Sequence, residues 1–128
     1  MEIKDLSVSR LMTSDLITVS PETRIEDAGD TLIERDVGSL LVLDSDGELA
    51  GILTGTDFVG LVSSDVSAVE QCMTADVVTV GEDDSVRDAA AKMIANDVQH
   101  LPVVGSDDGV VGMISATDLT AHLSYLEA

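Results

Sequence analysis

The stretch that decides the fold occurs twice, as Gly51-Ile52-Leu53-Thr54-Gly55-Thr56-Asp57 and as Gly112-Met113-Ile114-Ser115-Ala116-Thr117-Asp118. Each copy has a glycine, a short apolar strand, a hydroxyl residue at the strand end, and a Thr-Asp pair that opens a helix. A helix N-terminus has free backbone N–H groups and a partial positive charge that suit an anion. The hydroxyl can donate a hydrogen bond, and the Asp can accept one from a ligand hydroxyl. Each copy therefore predicts a docking place for a polar ligand.

The rest of the chain repeats in the same register. Residues 8–62 align with residues 69–123 without a gap, and the alignment pairs Met12-Thr13 with Met73-Thr74 and Thr18-Val19 with Thr79-Val80. Self-similarity at this period indicates a duplicated structural unit. We therefore expect two domains, residues 1–64 and residues 65–128, with a short polar joint between them.

Each copy predicts the order strand, helix, strand, strand, helix. In the first copy, Thr23 and Glu26 suggest a capping box, Ile33 falls on the expected buried face, and Gly38 suits a left-handed helix end. In the second copy, the expected cap is Asp84 and the buried face includes Ile94. One copy of about 55 residues buries little apolar surface alone. We therefore expect an α+β fold in which two such units pack sheet against sheet about a pseudo-twofold axis, with ligand clefts where the halves meet.

Composition excludes several function classes. The chain has 25 acidic and 6 basic residues in 128, a formal net charge of −19, and aromatic residues are only 2%. A chain without a basic patch or interleaved aromatics is a poor partner for nucleic acid or an anionic membrane. An acidic coat spread along the whole chain suits molar salt, where the Debye length is about 3 Å. We therefore expect a protein from the cytoplasm of a halophilic archaeon, and no nucleic-acid or membrane partner.

The chain offers little chemistry for catalysis. Cys72 is the only cysteine, which excludes an intramolecular disulfide and a cysteine-based metal framework. The sequence has no nucleophile with a paired base, no metal-ligand spacing and no phosphate loop. We also expect no signal peptide and no membrane span, because the chain shows neither a basic-then-apolar start nor an apolar run of the required length. We expect no enzyme activity, no catalytic residue, no metal, no cofactor, and a cytoplasmic location.

In their order and duplication, these motifs resemble the CBS domain family, whose members occur as tandem pairs called Bateman modules. The marks are a Met-Thr pair before a strand ending Thr-Val, Pro102 within Leu101-Pro102-Val103-Val104, and the glycine, apolar, hydroxyl, Asp arrangement in both copies. The resemblance implies a regulatory module that binds adenosine-containing ligands in clefts between the repeats. The ligands implied are AMP, ADP, ATP or S-adenosylmethionine.

The resemblance also implies roles for individual residues. Asp57 and Asp118 would accept hydrogen bonds from ribose hydroxyls, and Thr54 and Ser115 would face phosphate. The residues that would line the adenine are Thr18, Val19, Ser39 and Leu40 in the first copy and Thr79, Val80, His100, Leu101 and Pro102 in the second. The ligand-site positions Thr56 and Thr117 stand where family members that hold polyphosphates often have Arg or Lys. AMP, ADP, an S-adenosyl compound or a nucleotide with its own cation is therefore easier to accommodate than ATP alone.

Other interpretations of the same residues stay open at this point. Each Asp could only stabilise the first turn of its helix, an effect worth about 0.3–1 kcal/mol, and each hydroxyl could only cap a turn. His100 could contact a ligand or be a structural residue. The chain could regulate a separate partner protein through its ligand, or it could be an assembly module with unused clefts. A homodimer is expected.

Overall fold

The computed structural model describes residues 6–59 and 65–127, whose main strands form two three-stranded sheets. The elements of the first sequence repeat are β1 (Thr18–Val19), α1 (Ile25–Glu34), β2 (Ser39–Leu43), β3 (Leu49–Thr54) and α2 (Gly55–Val59). Those of the second are β4 (Val80–Gly81), α3 (Val86–Asn96), β5 (His100–Val104), β6 (Val110–Ser115) and α4 (Ala116–Glu127). Short 3₁₀ turns at Val8–Arg10 and Val69–Gln71 precede β1 and β4. The predicted α+β order of strand, helix, strand, strand, helix in duplicate is confirmed.

Contacts divide the chain into two compact units. One is Ile17–Val77, named here the Asp57 unit, and the other combines Met1–Leu16 with Val78–Ala128 and is named the Asp118 unit. These units differ from the predicted division after residue 64, because the segment that begins each sequence repeat folds with the strands of the other repeat.

Backbone hydrogen bonds hold that initial segment in place. In the Asp118 unit, Val8 N–H donates to the Asp84 carbonyl at 2.8 Å, and Thr13 forms an antiparallel bridge with Met113. The Val8 side chain is fully buried in this unit's core. The equivalent contacts of the Asp57 unit join Val69 to Thr23 and Thr74 to Ile52.

The two sheets have the same topology. The central strand, β2 or β5, pairs in parallel with the short first strand and antiparallel with the last strand. Ser39 pairs with Thr54 in the Asp57 unit, and His100 pairs with Ser115 in the Asp118 unit. Because parallel strands need a crossover, α1 and α3 connect β1 to β2 and β4 to β5.

Each unit has its own aliphatic core, as the near absence of aromatic residues requires. The buried core of the Asp57 unit consists of Ile25, Ala28, Leu40, Val42, Leu53 and Val69. The buried core of the Asp118 unit consists of Val8, Val80, Ala89, Met93, Leu101, Val103 and Ile114. In both units these side chains come from one face of the sheet, the crossover helix and the initial segment.

The glycine that begins each repeated motif admits the initial segment. A Cβ atom on Gly51 would lie 2.9 Å from the Thr74 carbonyl oxygen, and one on Gly112 would lie 3.0 Å from the Thr13 carbonyl oxygen. Backbone atoms at that distance cannot move aside as a flexible side chain can. The duplicated glycine is therefore explained by close approach of backbone to backbone.

The N-terminus of α1 differs from the prediction. The N-cap is Arg24, whose side chain makes no capping hydrogen bond, so the expected capping box of Thr23 and Glu26 is wrong. The Thr23 hydroxyl instead accepts a hydrogen bond from Ser20 N–H at 3.0 Å. It stabilises the turn before the helix.

The N-cap of α3 lies one residue later than predicted. Ser85 is the N-cap, and its hydroxyl accepts from Asp88 N–H at 3.0 Å. Asp84, the expected cap, accepts from Gly81 N–H at 2.8 Å. Both copies thus use the residue before the cap to close the preceding turn.

Both crossover helices end at an aspartate in the left-handed conformation, whereas Gly38 was expected to take that conformation at the end of α1. Asp36 has φ 52° and Asp97 has φ 53°, whereas Gly38 is not among the residues with positive φ. The next N–H group then bonds back to the helix, from Val37 to Leu32 O at 3.2 Å. Asp tolerates the left-handed region because its short polar side chain can bond locally.

Two isoleucines expected on buried faces are exposed. Ile33 on α1 is 79% exposed and Ile94 on α3 is 83% exposed. Both follow a core-facing position directly, and a helix turns by about 100° per residue, which carries the next side chain to the edge of the apolar face. The prediction that they are buried is therefore wrong.

No helix in the described part of the chain has both the length and the apolar character needed to cross a membrane. Among the same residues, no group of three or more His, Cys, Asp or Glu side chains converges in a way that could hold a metal ion.

Candidate functional site

Each unit brings its predicted polar residues to one end of the sheet, on the face away from its core. In the Asp57 unit, Ser39 and Thr54 are paired across β2 and β3, and the next pair inward is Leu40 with Leu53. Leu40 and Leu53 point into the core, so Ser39 and Thr54 point to the opposite face because side chains alternate along a strand. Thr18, on β1 beside Leu41, shares that face.

Asp57 closes the turn from β3 to α2. Its Oδ2 atom accepts a hydrogen bond from Thr54 N–H at 2.8 Å and a longer one from the Thr54 hydroxyl at 3.4 Å. Its side chain is half-buried. Among the described residues no hydrogen bond reaches Oδ1 of Asp57, which leaves that oxygen for a ligand hydroxyl. The structural role and the binding role are therefore compatible on one carboxylate.

The Asp118 unit has a similar turn with one difference in its hydrogen bonds. Ser115 N–H donates to Asp118 Oδ2 at 2.9 Å, and Asp118 N–H donates to the Ser115 hydroxyl oxygen at 3.1 Å. Because Ser115 Oγ accepts in this second bond, its own hydrogen stays available to a ligand acceptor. Thr54, by contrast, uses its hydroxyl hydrogen on Asp57.

His100 stands beside Ser115 at the start of β5 and is half-buried. Burial lowers the pKa of its imidazole, and the negative charge of Asp118 opposes that shift in part. The imidazole is therefore neutral at pH 7, with one nitrogen able to donate and the other able to accept.

Lys92 is a candidate residue that the sequence reasoning missed. Its Nζ atom donates to the carbonyl oxygen of Thr79 at 2.8 Å, and the side chain is half-buried, whereas every arginine in the described part of the chain is exposed. The equivalent residue of the Asp57 unit is Thr31, whose hydroxyl donates to Asp27 O at 2.9 Å. A comparison of the aligned copies for changes of charge would have found it.

The other predicted site residues differ in how far they are exposed to solvent. Leu40, Val80 and Leu101 are fully buried in the two cores, and Val19 packs against the Asp57-unit core, so a ligand could reach the first three only through their backbone. Pro102 is also fully buried, at a strand position that alternates with the core-facing ones. The residues that are exposed are Thr18, Thr56 and Thr117.

A separate hollow of about 610 Å³ lies in the Asp57 unit between α1 and α2. Its wall is mainly apolar and includes Leu32, Ile33 and Phe58, and Asp36 is its one acidic lining residue. Ser39, Thr54 and Asp57 are not part of the lining. The hollow is therefore distinct from the polar strand-end site.

The CBS domain family model matches residues 8–64 and 66–125 of this chain. An uncharacterised 17.7 kDa protein of Acidianus ambivalens is 38% identical over 118 residues, which are 91% of this chain and 72% of that protein. A homoserine O-acetyltransferase of Methanohalobium evestigatum is 31% identical over 113 residues, but the chain spans only 23% of its length.

Among solved structures, the chain is similar to the CBS domain pair of protein MJ0100, in a crystal structure with 5′-methylthioadenosine and S-adenosyl-L-methionine. The TM-score is 0.87 and the identity 27%, over 94% of this chain and 98% of that one. An uncharacterised conserved protein of Pyrococcus horikoshii gives a TM-score of 0.86 at 26% identity, over 96% of this chain and 95% of that one. With both repeats matched by the family model, and with two sheets of the same topology, the chain belongs to the CBS domain family.

Proposed function

We propose that this chain is a regulatory module that binds adenosine-containing ligands through the strand-end turns of its two units. The observation that carries the proposal is the duplicated turn in which an Asp carboxylate holds the N–H of a strand-end hydroxyl residue, through Asp57 on Thr54 and Asp118 on Ser115. This hydrogen bond to Oδ2 fixes the orientation of each carboxylate group. The similar CBS domain pair of MJ0100, which binds two adenosine compounds, supports this choice of ligand class.

The proposed contacts follow from the geometry. The second oxygen of Asp57 or Asp118 accepts from ribose hydroxyls, which are donors as well as acceptors. The backbone of the first and central strands lies beside the adenine ring. Occupancy is passed to a separate partner protein if the ligand binds one arrangement of the module better than another, since only differential affinity shifts such an equilibrium.

Calorimetric titration with adenosine, 5′-methylthioadenosine, AMP, ADP, ATP and S-adenosylmethionine tests the proposal. We expect binding of at least one ligand by the wild type, about tenfold weaker binding with Asp57→Asn or Asp118→Asn at the site affected, and none with both changes. The asparagine keeps an oxygen that can accept the same backbone N–H, so the fold is retained.

Asp46→Asn is the matched control, because Asp46 is an exposed turn residue and the substitution removes the same charge. Equal loss of affinity in this control would indicate a general effect of net charge. Absence of heat with all six ligands would overturn the proposal.

A second candidate function, an assembly module, is favoured by the exposed Ile33 and Ile94 at equivalent positions of α1 and α3. Large apolar side chains of this kind are typical of protein interfaces. We propose a homodimer in either case, and we expect Ile33→Lys with Ile94→Lys to shift the sedimentation coefficient from dimer to monomer. If the protein is a dimer and no nucleotide changes its melting temperature, the result would favour an assembly module that binds no adenosine ligand.

We assign no catalytic step, metal or cofactor to this chain, and we place it in the cytoplasm of a cell with molar salt. The net charge of −19 supports the salt requirement, because self-repulsion is screened when the Debye length falls to about 3 Å. A melting temperature that does not rise between dilute and molar KCl would contradict the salt adaptation.

A further inference from the structure

The carbonyl group of Thr79 lies on the edge of β4 that faces away from β5. Along a parallel strand, alternate residues turn their backbone N–H and C=O groups toward the same neighbouring strand, and Glu82 N–H donates to Val104 O on β5 at 3.0 Å. Thr79 is an odd number of positions from Glu82, so its backbone groups point to the opposite edge. The N–H of Gly81 also points there, because it donates to Asp84 Oδ2 at 2.8 Å. The carbonyl oxygen of Thr79 is therefore out of reach of β5.

Lys92 on α3 bonds this carbonyl from the free edge. Its Nζ atom donates to Thr79 O at 2.8 Å, and its side chain is half-buried. α3 packs on the core face of the sheet through Val86, Ala89 and Met93. Because a backbone carbonyl lies in the plane of the sheet, a side chain of a core-packed helix can reach it at the edge. The bond thus ties α3 to the segment that enters β4.

Pro102 removes a sheet bond that holds the equivalent segment in the other unit. In the Asp57 unit, Leu41 N–H on β2 donates to Ile17 O, just before β1, at 3.2 Å. The residue 61 positions after Leu41 is Pro102 on β5, which has no N–H and cannot hold the carbonyl of Val78 in this way. The segment that enters β4 therefore lacks one sheet bond and has the bond from Lys92 instead.

The Asp57 unit has no matching anchor in the part of the chain that the structure describes. The residue equivalent to Lys92 is Thr31, whose hydroxyl donates to Asp27 O within α1 at 2.9 Å. No side chain of the described residues bonds the carbonyl of Thr18, which is the equivalent of Thr79. The two units thus fix the start of their first strands differently, one by a bond within the sheet and the other by a lysine from the crossover helix.

We infer that Lys92 is a positioning residue for the adenine of a ligand bound at the Asp118 unit. The inference rests on the proposed function, in which the backbone of the first and central strands lies beside the adenine ring. Lys92 acts through the backbone of Thr79 and does not touch the ligand. A segment that is already held in place needs no ordering when the ligand binds, and this raises the affinity. Fixed backbone groups also distinguish adenine from a base whose donors and acceptors are exchanged.

Adenosine and inosine test this role because both are uncharged and they differ only in one edge of the base. Adenine has a donor at position 6 and an acceptor at N1, and the base of inosine has the reverse. Calorimetric titrations use the full chain with Asp57→Asn, so that the Asp118 unit supplies the tighter site. We expect Lys92→Met to weaken adenosine binding about tenfold and inosine binding less than about twofold. Lys92→Arg, which keeps a cationic donor, should retain most of the preference for adenosine.

Arg87→Met is the matched control for charge, because Arg87 also lies on α3 and is exposed. It should leave the affinity for adenosine within about twofold. In the full chain with Asp118→Asn, where the Asp118 unit is weakened, Lys92→Met should have no further effect on adenosine binding. Melting curves ensure that every titration is made well below the midpoint of unfolding.

Amide hydrogen exchange in the free protein tests the positioning without a ligand. Lys92→Met should speed the exchange of residues 78–82 several-fold, because the segment opens locally more often. Thr31→Val, which removes a hydroxyl hydrogen bond at the equivalent position of α1, should leave the exchange of residues 17–21 unchanged.

The outcomes distinguish the role of Lys92 from the proposed function. Equal weakening of adenosine and inosine, or faster exchange with both affinities unchanged, would mean that Lys92 supports only the fold, and would overturn its role toward adenine. Unchanged exchange with an unchanged preference would overturn the positioning itself. If the wild type binds neither adenosine nor AMP nor S-adenosylmethionine while Lys92→Met speeds exchange, the proposed function fails and only the anchoring of β4 by Lys92 stands.

Discussion

The Asp57 unit and the Asp118 unit share one backbone plan but differ in the side chains around it. The hollow between α1 and α2 is bordered by glycines, and the equivalent positions beside α3 and α4 carry larger residues; the pairs are Gly29 with Ala90, Gly38 with Gln99, and Gly55 with Ala116. The positions that shape the backbone are the same in both units, namely Gly51 with Gly112, Asp36 with Asp97, and Asp57 with Asp118. The two copies therefore share a backbone geometry, whereas the side chains of their surfaces and candidate sites differ.

The largest expected effect concerns the glycines that admit the initial segments. Gly51→Ala and Gly112→Ala should each lower the free energy of unfolding by about 2–3 kcal/mol, since the new methyl group would press on a backbone carbonyl and a methionine side chain. Chemical denaturation measures the loss. Gly55→Ala is the control: its Cβ would have no neighbour within 4 Å, so stability should be unchanged or slightly higher. Clearly unequal losses in the two units would show that the initial segments are not equivalent.

A smaller effect is expected from His100, which the Asp57 unit replaces with Ser39. Burial lowers the pKa of His100 in the folded chain, despite the opposing charge of Asp118. Below about pH 6.5 the unfolded state therefore binds more protons at His100 than the folded state does, so the free energy of unfolding decreases as the pH falls. Above that pH neither state binds this proton, and the contribution of His100 to the pH dependence disappears.

We expect the wild type to lose about 1–2 °C more in melting temperature than His100→Ser between about pH 7.5 and pH 5.5. The two proteins differ only at residue 100, so the difference between the two losses reports on His100. A greater loss of melting temperature in the variant would mean that folding raises the pKa of His100 instead of lowering it.

The smallest expected effect is at Cys72, whose equivalent in the Asp118 unit is Leu11. Burial raises the pKa of the thiol, and the negative charge of Asp57 raises it further. Because alkylation proceeds through the thiolate, Asp57→Asn should speed the reaction of Cys72 with iodoacetamide by about twofold near pH 7.5. Asp118→Asn should leave the rate unchanged, and equal acceleration in both variants would indicate a general loosening of the chain.

The repeated elements could be predicted because their signals are local. The apolar strands before Thr54 and Ser115 are specified by residues adjacent in sequence. The same locality explains why the burial of Ile33 and Ile94 was predicted wrongly. Both residues fit the helical spacing of apolar residues, but that spacing does not specify how wide a face of each helix is covered by the rest of the fold.

The candidate site was predicted in part. Its Asp and hydroxyl residues follow from the duplicated motif, and their hydrogen bonds agree with the turn interpretation. Lys92 could not be assigned from its neighbours, because its contact with Thr79 spans 13 positions and depends on where α3 lies against β4. The ligand roles of the site residues stay predictions.

The amino-acid sequence by itself determined that the chain is duplicated, which elements each copy forms, and that a strand-end hydroxyl and an Asp recur in both. Only the tertiary structure decided that the initial segment of each repeat folds with the other repeat's strands, and that the ammonium of Lys92 bonds the carbonyl of Thr79. The physical reason is one of range. Helix and strand periodicity acts over a few residues, whereas the bond between Val8 and Asp84 forms only when remote parts of the chain bury their apolar faces together.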